Sequence, residues 1–209
     1  MITSLDQILY SDNCKVLEIV SHNLFVYQIF KNASSSFAKE ASTHNSRIFI
    51  NEEIQQIKNI TVPVRQPIER FVSGAQTVCL QLKEKNPKLD NNTIMFFLEN
   101  YLFWDRHLLP QFHWLLNLQR FADPNTVYSI RTVESFSNKL SVNIKPSKLN
   151  INVDVNKVEI NLYLQLDTVL YNLAGQDLTF NEIVSVIKND VDSKFDEIMQ
   201  LPKKLVNLL

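Results

Sequence analysis

The chain has 209 residues, of which 45% are hydrophobic and 21% are charged, and this suits one globular domain with a substantial core. Its formal net charge of −1 excludes the strongly basic surface that drives nonspecific nucleic-acid binding, so any anion site must be local. The two cysteines, Cys14 and Cys79, are too few for a disulfide framework, and we expect both to be free and buried.

Sequence signals for export or membrane insertion are also lacking. The amino-terminal stretch MITSLDQILYSDN has neither the basic segment nor the apolar segment of a secretory leader. No apolar run reaches the roughly 18 residues of a membrane helix. The densest run, residues 94–118, is interrupted by Glu99, Asp105, Arg106 and His107. We therefore expect a soluble, cytoplasmic protein with neither a membrane nor a nucleic acid as partner.

In chain order, the first predicted elements are three strands and a helix. Residues 24–30 form an apolar run rich in β-formers, and residues 47–50 and 59–65 are further candidates. Pro63 argues against a fully paired central strand, because proline cannot donate to a strand ladder. Between the first two strands, the hydroxyl side chains from Ser34 onward predict the start of a helix.

Helical spacing resumes at Pro67, which fits the first position of a helix. The predicted apolar face of this helix is Ile68, Phe71, Val72, Ala75, Cys79 and Leu82. After a polar loop, Asn92 is predicted to cap another helix, whose apolar positions lie within residues 94–102.

The carboxyl-terminal part holds three more predicted elements. Residues 126–130 favour a strand, and residues 150–166 alternate apolar with polar side chains, which predicts a hairpin. Thr179 and Glu182 form a capping box for a last helix. Because strands alternate with helices, we predict an α/β fold with a central, mainly parallel sheet flanked by helices, as a single domain over residues 1–209.

One stretch, FVYQIFKNASSSFAKEA, changes from a predicted strand to a predicted helix through a lysine and three serines. A helix start presents unpaired main-chain N–H groups and a dipole that favours an anion. Lys31 would add a full positive charge, and Ser34, Ser35 and Ser36 would add hydroxyl donors. The segment lacks the Walker pattern GxxxxGK[ST], so a phosphate site and an ordinary serine-rich helix cap both remain open.

A second segment, VRQPIERFVS, also has phosphate-binding chemistry. Arg65 comes at the end of a predicted strand, and its planar guanidinium suits phosphate oxygens. Ser73 lies eight residues later, two turns inside the helix that Pro67 begins.

These segments resemble the sulfotransferases that use 3′-phosphoadenosine 5′-phosphosulfate (PAPS), especially the carbohydrate branch. FKNASSSF is similar to the family's 5′-phosphosulfate loop, and VRQPIERFVS to its R-x-P-x-x-R-x-x-S stretch. DRHLLPQFHWL, from Asp105, resembles the (N/D)-x-H-x-x-P-Q segment. VYSIRTVESF resembles a strand that ends in an acidic residue before the next helix. The resemblance covers roughly residues 24–140.

The resemblance implies a P-loop-like three-layer fold, PAPS as co-substrate and no metal. It implies that Lys31 neutralises the oxygen that bridges sulfate and phosphate, and that Arg65 and Ser73 hold the 3′-phosphate. The implied 5′-phosphate loop is Lys31, Asn32, Ala33, Ser34, Ser35 and Ser36. The chain departs from the family pattern at Phe30, Ala33 and Gln66, where proline, glycine and aspartate are usual, and it lacks a glycine-rich basic segment near its carboxyl terminus.

A hydroxyl acceptor needs a general base within hydrogen-bond reach, and related enzymes use histidine or glutamate. Glu53 or Glu52 comes first, because some members carry a catalytic glutamate about twenty residues beyond the loop lysine. His44 and His107 are the further candidates. The four histidines lack the HExxH or Cys/His spacing of a metal site.

The resemblance therefore implies sulfuryl transfer from PAPS to a hydroxyl or amine, on a small molecule that is expected to be a carbohydrate. The alternative is a sulfotransferase-like module that binds a nucleotide or glycan with weak turnover or none. An ATP-dependent kinase is disfavoured, since no GK[ST] and no acidic magnesium-binding strand are recognisable.

Overall fold

The computed structural model describes residues 14–29, 32, 37, 39, 47–90, 107–140 and 158–191, with the backbone alone for residues 158–163. The described strands are β1 (Lys15–Ile19), β2 (Leu24–Tyr27), β3 (Ile48–Ile50), β4 (Asn59–Val64), β5 (Val127–Thr132) and β6 (Asp177–Thr179). The helices are α1 (Pro67–Lys85), α2 (Gln111–Gln119), α3 (Val133–Leu140), α4 (Val158–Asn172) and α5 (Phe180–Val191). Short 3₁₀ turns follow β1 and β3.

The described strands form one open sheet in the order β3-β1-β2-β4-β5-β6. Neighbours β2, β4 and β5 are parallel, whereas β1 pairs antiparallel with both β2 and β3, and β6 pairs antiparallel with β5. The α/β class with helices flanking one open sheet is confirmed, and the sheet is mixed: β2, β3, β4 and β5 share one direction, so it is not wholly parallel. Strands β1 and β6 were not predicted from the sequence, and both run antiparallel to the other four strands.

The chain changes direction across the sheet between β2 and β4. After β2 it crosses β1 to form β3, and after β4 it moves the other way to form β5. The carboxyl ends of β2 and β4 therefore lie side by side where the two connections diverge. In open α/β sheets such a switch point forms the crevice where ligands bind.

Strand β4 is central, and as expected from Pro63 it is not fully paired: its β5 side is paired throughout, but its β2 side is not. Pro63 pairs in register with Arg131 of β5, while the register between β4 and β2 is limited to Val26 and Thr61. The carbonyl of Pro63 points toward the β2 side, where it accepts a bond from Asn32. The N and O atoms of one residue point to the same side of a strand, so the nitrogen of Pro63, which has no proton, also faces the β2 side. Strand β2 has already ended at this position, so no strand hydrogen bond is lost.

Helix α1 begins at Pro67 as predicted, and Gln66 caps it by accepting a 2.7 Å bond from the N–H of Glu69. Within the predicted apolar face, Phe71, Ala75 and Cys79 are buried, but Ile68 is 42% exposed. Both cysteines are free and buried, as expected. The helix predicted after Asn92 lies outside the described residues.

The prediction of a hairpin over residues 150–166 is wrong from Val158 onward, where the backbone forms α4. The alternation of apolar side chains in that stretch gives way to helical spacing, since Leu166, Val169, Leu170 and Leu173 are buried at intervals of three and four. Packing of α4 on α1, α2 and α5 supplies the tertiary contacts that favour the helix.

The capping box before α5 is confirmed. The main-chain N–H and the hydroxyl of Thr179 each donate to Glu182 at 2.7 Å, and the Glu182 N–H donates back to the hydroxyl at 3.4 Å. Ile183, Ile187 and Val191 form the buried stripe of the helix.

Both faces of the sheet are covered. Helices α1, α2, α4 and α5 contribute to one buried apolar cluster together with Ile60, Val62 and Val64 of β4. The opposite cluster contains Leu17, Ile19, Val26, Phe37, Phe136 and Leu140. None of the helices among the described residues is long and apolar enough to cross a membrane.

Gly74, in the middle of α1, allows the turn that begins at His107 to pack directly against the helix. A Cβ atom on Gly74 would overlap the main-chain carbonyl of His107. Glycine is therefore needed here for close approach, not for an unusual backbone conformation.

We predict that Gly74→Ala destabilises the protein by about 1–3 kcal/mol, because the turn must move away from α1. An ordinary helix interior gives the opposite sign, with Ala more stable than Gly by roughly 0.5–1 kcal/mol. Urea unfolding measures the difference. Exposed Gln81 in the same helix serves as the control, where the Ala variant should be more stable than the Gly variant. A Gly74→Ala protein more stable than the parent would contradict the packing argument.

Candidate functional site

The candidate site begins where β2 ends beside β4. Asn32 is fully buried and donates from Nδ2 to the carbonyl of Pro63 at 2.7 Å and to Oε1 of Gln111 at 2.6 Å. Its main-chain N–H closes a turn onto the carbonyl of Ile29 at 3.2 Å. The side chain of Asn32 thus takes the place of a strand neighbour at the last part of β4.

Gln111 extends this arrangement by one step. Its Oε1 accepts the main-chain N–H of Arg65 at 2.8 Å, and its Nε2 donates to the Arg65 carbonyl at 3.0 Å. The amide therefore pairs with Arg65 as a residue of a neighbouring strand would. Gln111 is completely buried, and it fixes the main chain at the point where β4 leads into α1.

Three segments that are far apart in the sequence meet through these bonds. Asn32 belongs to the KNASSS segment, Arg65 to VRQPIERFVS, and Gln111 to DRHLLPQFHWL. The sequence analysis linked the three segments only by resemblance. Direct hydrogen bonds now connect them at the switch point of the sheet.

The guanidinium of Arg65 is partly accessible. Its side chain is 20% exposed, and its Nε lies 3.5 Å from Oε2 of Glu69, whose side chain is 58% exposed. The two residues are four positions apart, and the pair faces solvent, so it contributes little to the stability of the fold. Ser73 is half-buried one turn beyond Glu69. Arg65 is thus close to a helix start and can exchange Glu69 for another anion.

His107 lies against the same part of α1. It is buried, and its carbonyl contacts Gly74, the neighbour of Ser73. The turn containing His107 leads through Pro110 into α2, whose first residue is Gln111. The third segment therefore packs along the second.

A buried ion pair between Arg70 of α1 and Asp167 of α4 lies in the interior beside this site. Nη1 of Arg70 is 3.9 Å from Oδ2 of Asp167, and both side chains are almost fully inaccessible. Burial lowers the pKa of Arg70 to about 10, with Asp167 opposing the change and Arg65 adding to it. Burial raises the pKa of Asp167 to about 6, and the opposing influences are Arg70 and hydrogen bonds from Phe112 and Gln111.

Some buried polar atoms of this region have no hydrogen-bond partner in the described part of the chain. They include Nε and Nη2 of Arg70 and Oδ1 of Asn32. An unmade bond of a buried polar group costs about 1–3 kcal/mol. The polar interior behind the switch point is therefore incompletely satisfied by the described residues.

The candidate bases Glu52 and Glu53 lie in the 3₁₀ turn that follows β3, at the same end of the sheet but to one side. β1 separates β3 from β2, which corresponds to roughly 10 Å across two strand spacings. Glu53 caps the 3₁₀ turn, accepting the N–H of Ile50 at 3.1 Å and a bond from Arg47 at 2.9 Å. The Ile50 N–H, followed by Arg47, holds the pKa of Glu53 below its usual value, which does not favour a base. Glu52 is exposed.

The other predicted site residues are Lys31, Ala33, Ser34, Ser35, Ser36 and His44, and they lie outside the described residues. Their proposed roles stay predictions, as do those of Arg65, Ser73, Glu52, Glu53 and His107. Among the described residues, no group of three His, Cys, Asp or Glu side chains could hold a metal ion.

Three residues that organise the site were not predicted from the sequence: Gln111, Arg70 and Asp167. Gln111 and Arg70 lay within the quoted segments but received no role. Asp167 gave one signal, since it is a lone carboxylate within the apolar run LYLQLDTVL. Its partners could not be read from the sequence, because they lie on two other helices.

No protein-family model, curated protein or solved structure matches the chain.

His113, on α2, gives a prediction for stability against pH. Burial, followed by the charge of Arg70, lowers the pKa of His113 to about 4. The unfolded state therefore binds more protons between about pH 4 and pH 6.5, so His113 contributes stability that is lost as the pH falls through this window. Asp167 acts in the opposite sense, since its raised pKa relieves the cost of its buried charge on acidification.

We predict that His113→Gln becomes more favourable relative to the parent protein, by on the order of 2–3 kcal/mol, between about pH 7 and pH 4.5. Urea unfolding of both proteins at each pH measures this change. Asp167 is present in both, so its contribution cancels in the comparison. A stability difference that does not change with pH would contradict the buried, neutral state of His113.

Proposed function

We propose that the protein is a PAPS-dependent sulfotransferase with a P-loop-like fold, acting on a hydroxyl or amine of a small molecule, with a carbohydrate as the expected class. The observation that carries the proposal is the connection of Asn32, Gln111 and Arg65. The three segments that resemble sulfotransferase motifs thus share one meeting point, as a common ligand site requires. Their meeting point is also where an open α/β sheet binds ligands.

The two ends of the nucleotide have separate places in this proposal. Lys31 and the serine-rich segment that follows bind the 5′-phosphosulfate, next to the buried anchor Asn32. Arg65 and Ser73 bind the 3′-phosphate, and the start of α1 adds its dipole. A 3′-phosphate would replace Glu69 as the partner of Arg65, and would gain a charged hydrogen bond without a large change in the main chain.

In the reaction, the acceptor oxygen forms a bond to sulfur while the bond between sulfur and the bridging oxygen breaks. The electron pair stays on the leaving 5′-phosphate, whose charge Lys31 neutralises, and the acceptor proton passes to a base. Positioning and charge neutralisation supply most of the catalysis in the analogous phosphoryl transfer. The base is one of Glu52, Glu53, His44 and His107. Of these, Glu53 is the least favoured, because its carboxylate is already bound by Ile50 and Arg47.

The first test concerns the 3′-phosphate. We predict that Arg65→Ala weakens binding of adenosine 3′,5′-bisphosphate by about 1.5–3 kcal/mol, the range for a lost charged hydrogen bond, and barely changes binding of AMP. The two hydrogen bonds between the Gln111 amide and the Arg65 main chain form a clamp on Arg65. The substitution should therefore remove the guanidinium and leave this clamp in place. Calorimetric titration of both nucleotides measures the effect.

Lys58→Ala is the matched control for charge. Lys58 precedes β4 at its other end, roughly 20 Å from Arg65 along the strand, and pairs with Asp123 at 2.8 Å. It should leave both affinities unchanged. Equal affinities of the parent protein for the two nucleotides would remove the 3′-phosphate site from the proposal.

The second test concerns turnover. We predict that Lys31→Ala abolishes transfer of sulfate from PAPS to a glycan acceptor but keeps most of the affinity for the bisphosphate, since its charge acts mainly on the transition state. A screen of glycan acceptors with radiolabelled PAPS measures transfer. Nucleotide binding without turnover by the parent protein on any acceptor would favour a binding module. Transfer by Lys31→Ala at the parental rate would contradict the role of Lys31.

A further inference from the structure

Asp167 is buried in α4, beyond the part of the chain that resembles sulfotransferases, yet it reaches the candidate site. Its Oδ1 accepts the main-chain N–H of Phe112 at 3.3 Å, in the first turn of α2. The main-chain N–H and side-chain amide of the adjacent Gln111 are also among the influences that oppose burial and hold the pKa of this carboxyl down. The carboxylate thus caps α2 from a neighbouring helix. It does so beside Gln111, whose amide pairs with the main chain of Arg65.

The amide of Gln111 has two acceptor and two donor positions, and all four have a use. Oε1 accepts from the Arg65 N–H and from Asn32 Nδ2, and Nε2 donates to the Arg65 carbonyl. The remaining Nε2 proton is available for Asp167. An ionised carboxylate can only accept, so it requires Nε2 on its own side. The opposite orientation of the amide would place Nε2 against two donors.

We propose that Asp167 is a positioning residue of the candidate nucleotide site. Its carboxylate caps the start of α2 and reinforces the orientation of the Gln111 amide that pairs with Arg65, and it thereby steadies the main chain at Arg65 and the side chain of Asn32. One charge on α4 therefore organises the residues beside both phosphate-binding segments. The role in nucleotide binding rests on the proposed function, whereas the control of Arg65 does not.

The charged groups around Asp167 allow its ionisation to be followed. Arg70 faces it from α1, and His113 lies near Arg70 on α2. On α5 the buried side chains are all aliphatic. Burial raises the pKa of Asp167 to about 6, while it lowers those of His113 and Arg70 to about 4 and about 10. Among these three groups, only Asp167 changes charge near pH 6.

The first experiment needs no ligand. Amide hydrogen exchange, followed by NMR, measures the protection factor of the Arg65 N–H, which donates to Gln111. In Asp167→Asn, the charged acceptor at the start of α2 becomes a neutral and weaker one that holds Gln111 less firmly, and we expect protection at Arg65 to fall about tenfold, as for one lost hydrogen bond. In the parent protein, protection should fall as the pH is lowered through about 6, whereas the variant should show no such transition.

Removing one partner of a buried ion pair can itself unfold a protein, so two further variants complete the test. Arg70→Met combined with Asp167→Asn removes both charges and should also lose protection at Arg65. Arg70→Lys disturbs the same pair but keeps the carboxylate, and should retain protection. Parental protection of Arg65 in the double variant would overturn the proposal. Equal loss in Arg70→Lys would do the same, because it would indicate general loosening.

The second experiment measures affinity for adenosine 3′,5′-bisphosphate. We expect the double variant to bind about tenfold more weakly than Arg70→Lys, matching the loss of the clamp. Unchanged affinity despite a lost clamp would overturn the role of Asp167 at the nucleotide site. If the parent protein binds no nucleotide, the proposed function fails, while the exchange experiment still decides whether Asp167 controls Arg65.

Discussion

The amide of Gln111 satisfies both main-chain polar groups of Arg65 at the place where β4 has lost its neighbour β2. Each buried main-chain group without a partner would cost about 1–3 kcal/mol. Without the amide, the end of β4 would have to turn toward water or seek other partners, and Arg65 would lose its defined direction. Asn32 solves the same problem one step earlier, at the carbonyl of Pro63. The candidate site therefore depends on two side-chain amides that act as a substitute strand.

Much of the local structure could be predicted from the sequence. Strand β4, the start of α1 at Pro67 and the capping box of Thr179 were all visible because each has a local physical signal. The direction of the strands was not visible in the same way. Strand β1 is only five residues long, and β6 only three, and such short runs do not reveal how they pair. The apolar alternation at the start of α4 was misleading, because packing on three other helices decided the structure there.

The site was only partly predictable. Strand-to-helix transitions with basic and hydroxyl side chains indicated where anions could bind, and Arg65 is indeed at the end of a central strand. The bonds that connect the segments join residues 79 and 46 positions apart, which no periodicity can show. Asp167 is a further 55 residues from Phe112. A lone carboxylate in an apolar helix indicates a buried partner, but it does not tell which one.

The charges at the switch point are compatible with the proposal that a chain of net charge −1 binds a doubly phosphorylated ligand. The charge of Arg65 reaches Arg70, since it contributes, after burial, to the lowered pKa of Arg70. Asp167 forms a buried ion pair with Arg70. Arg65 pairs at 3.5 Å with Glu69, whose side chain is exposed to solvent. The charge of Arg70 is thus compensated by a buried carboxylate, whereas the charge of Arg65 is compensated by a carboxylate that water already screens. In the proposed site, an incoming phosphate would need only to displace Glu69, and no basic surface would be required.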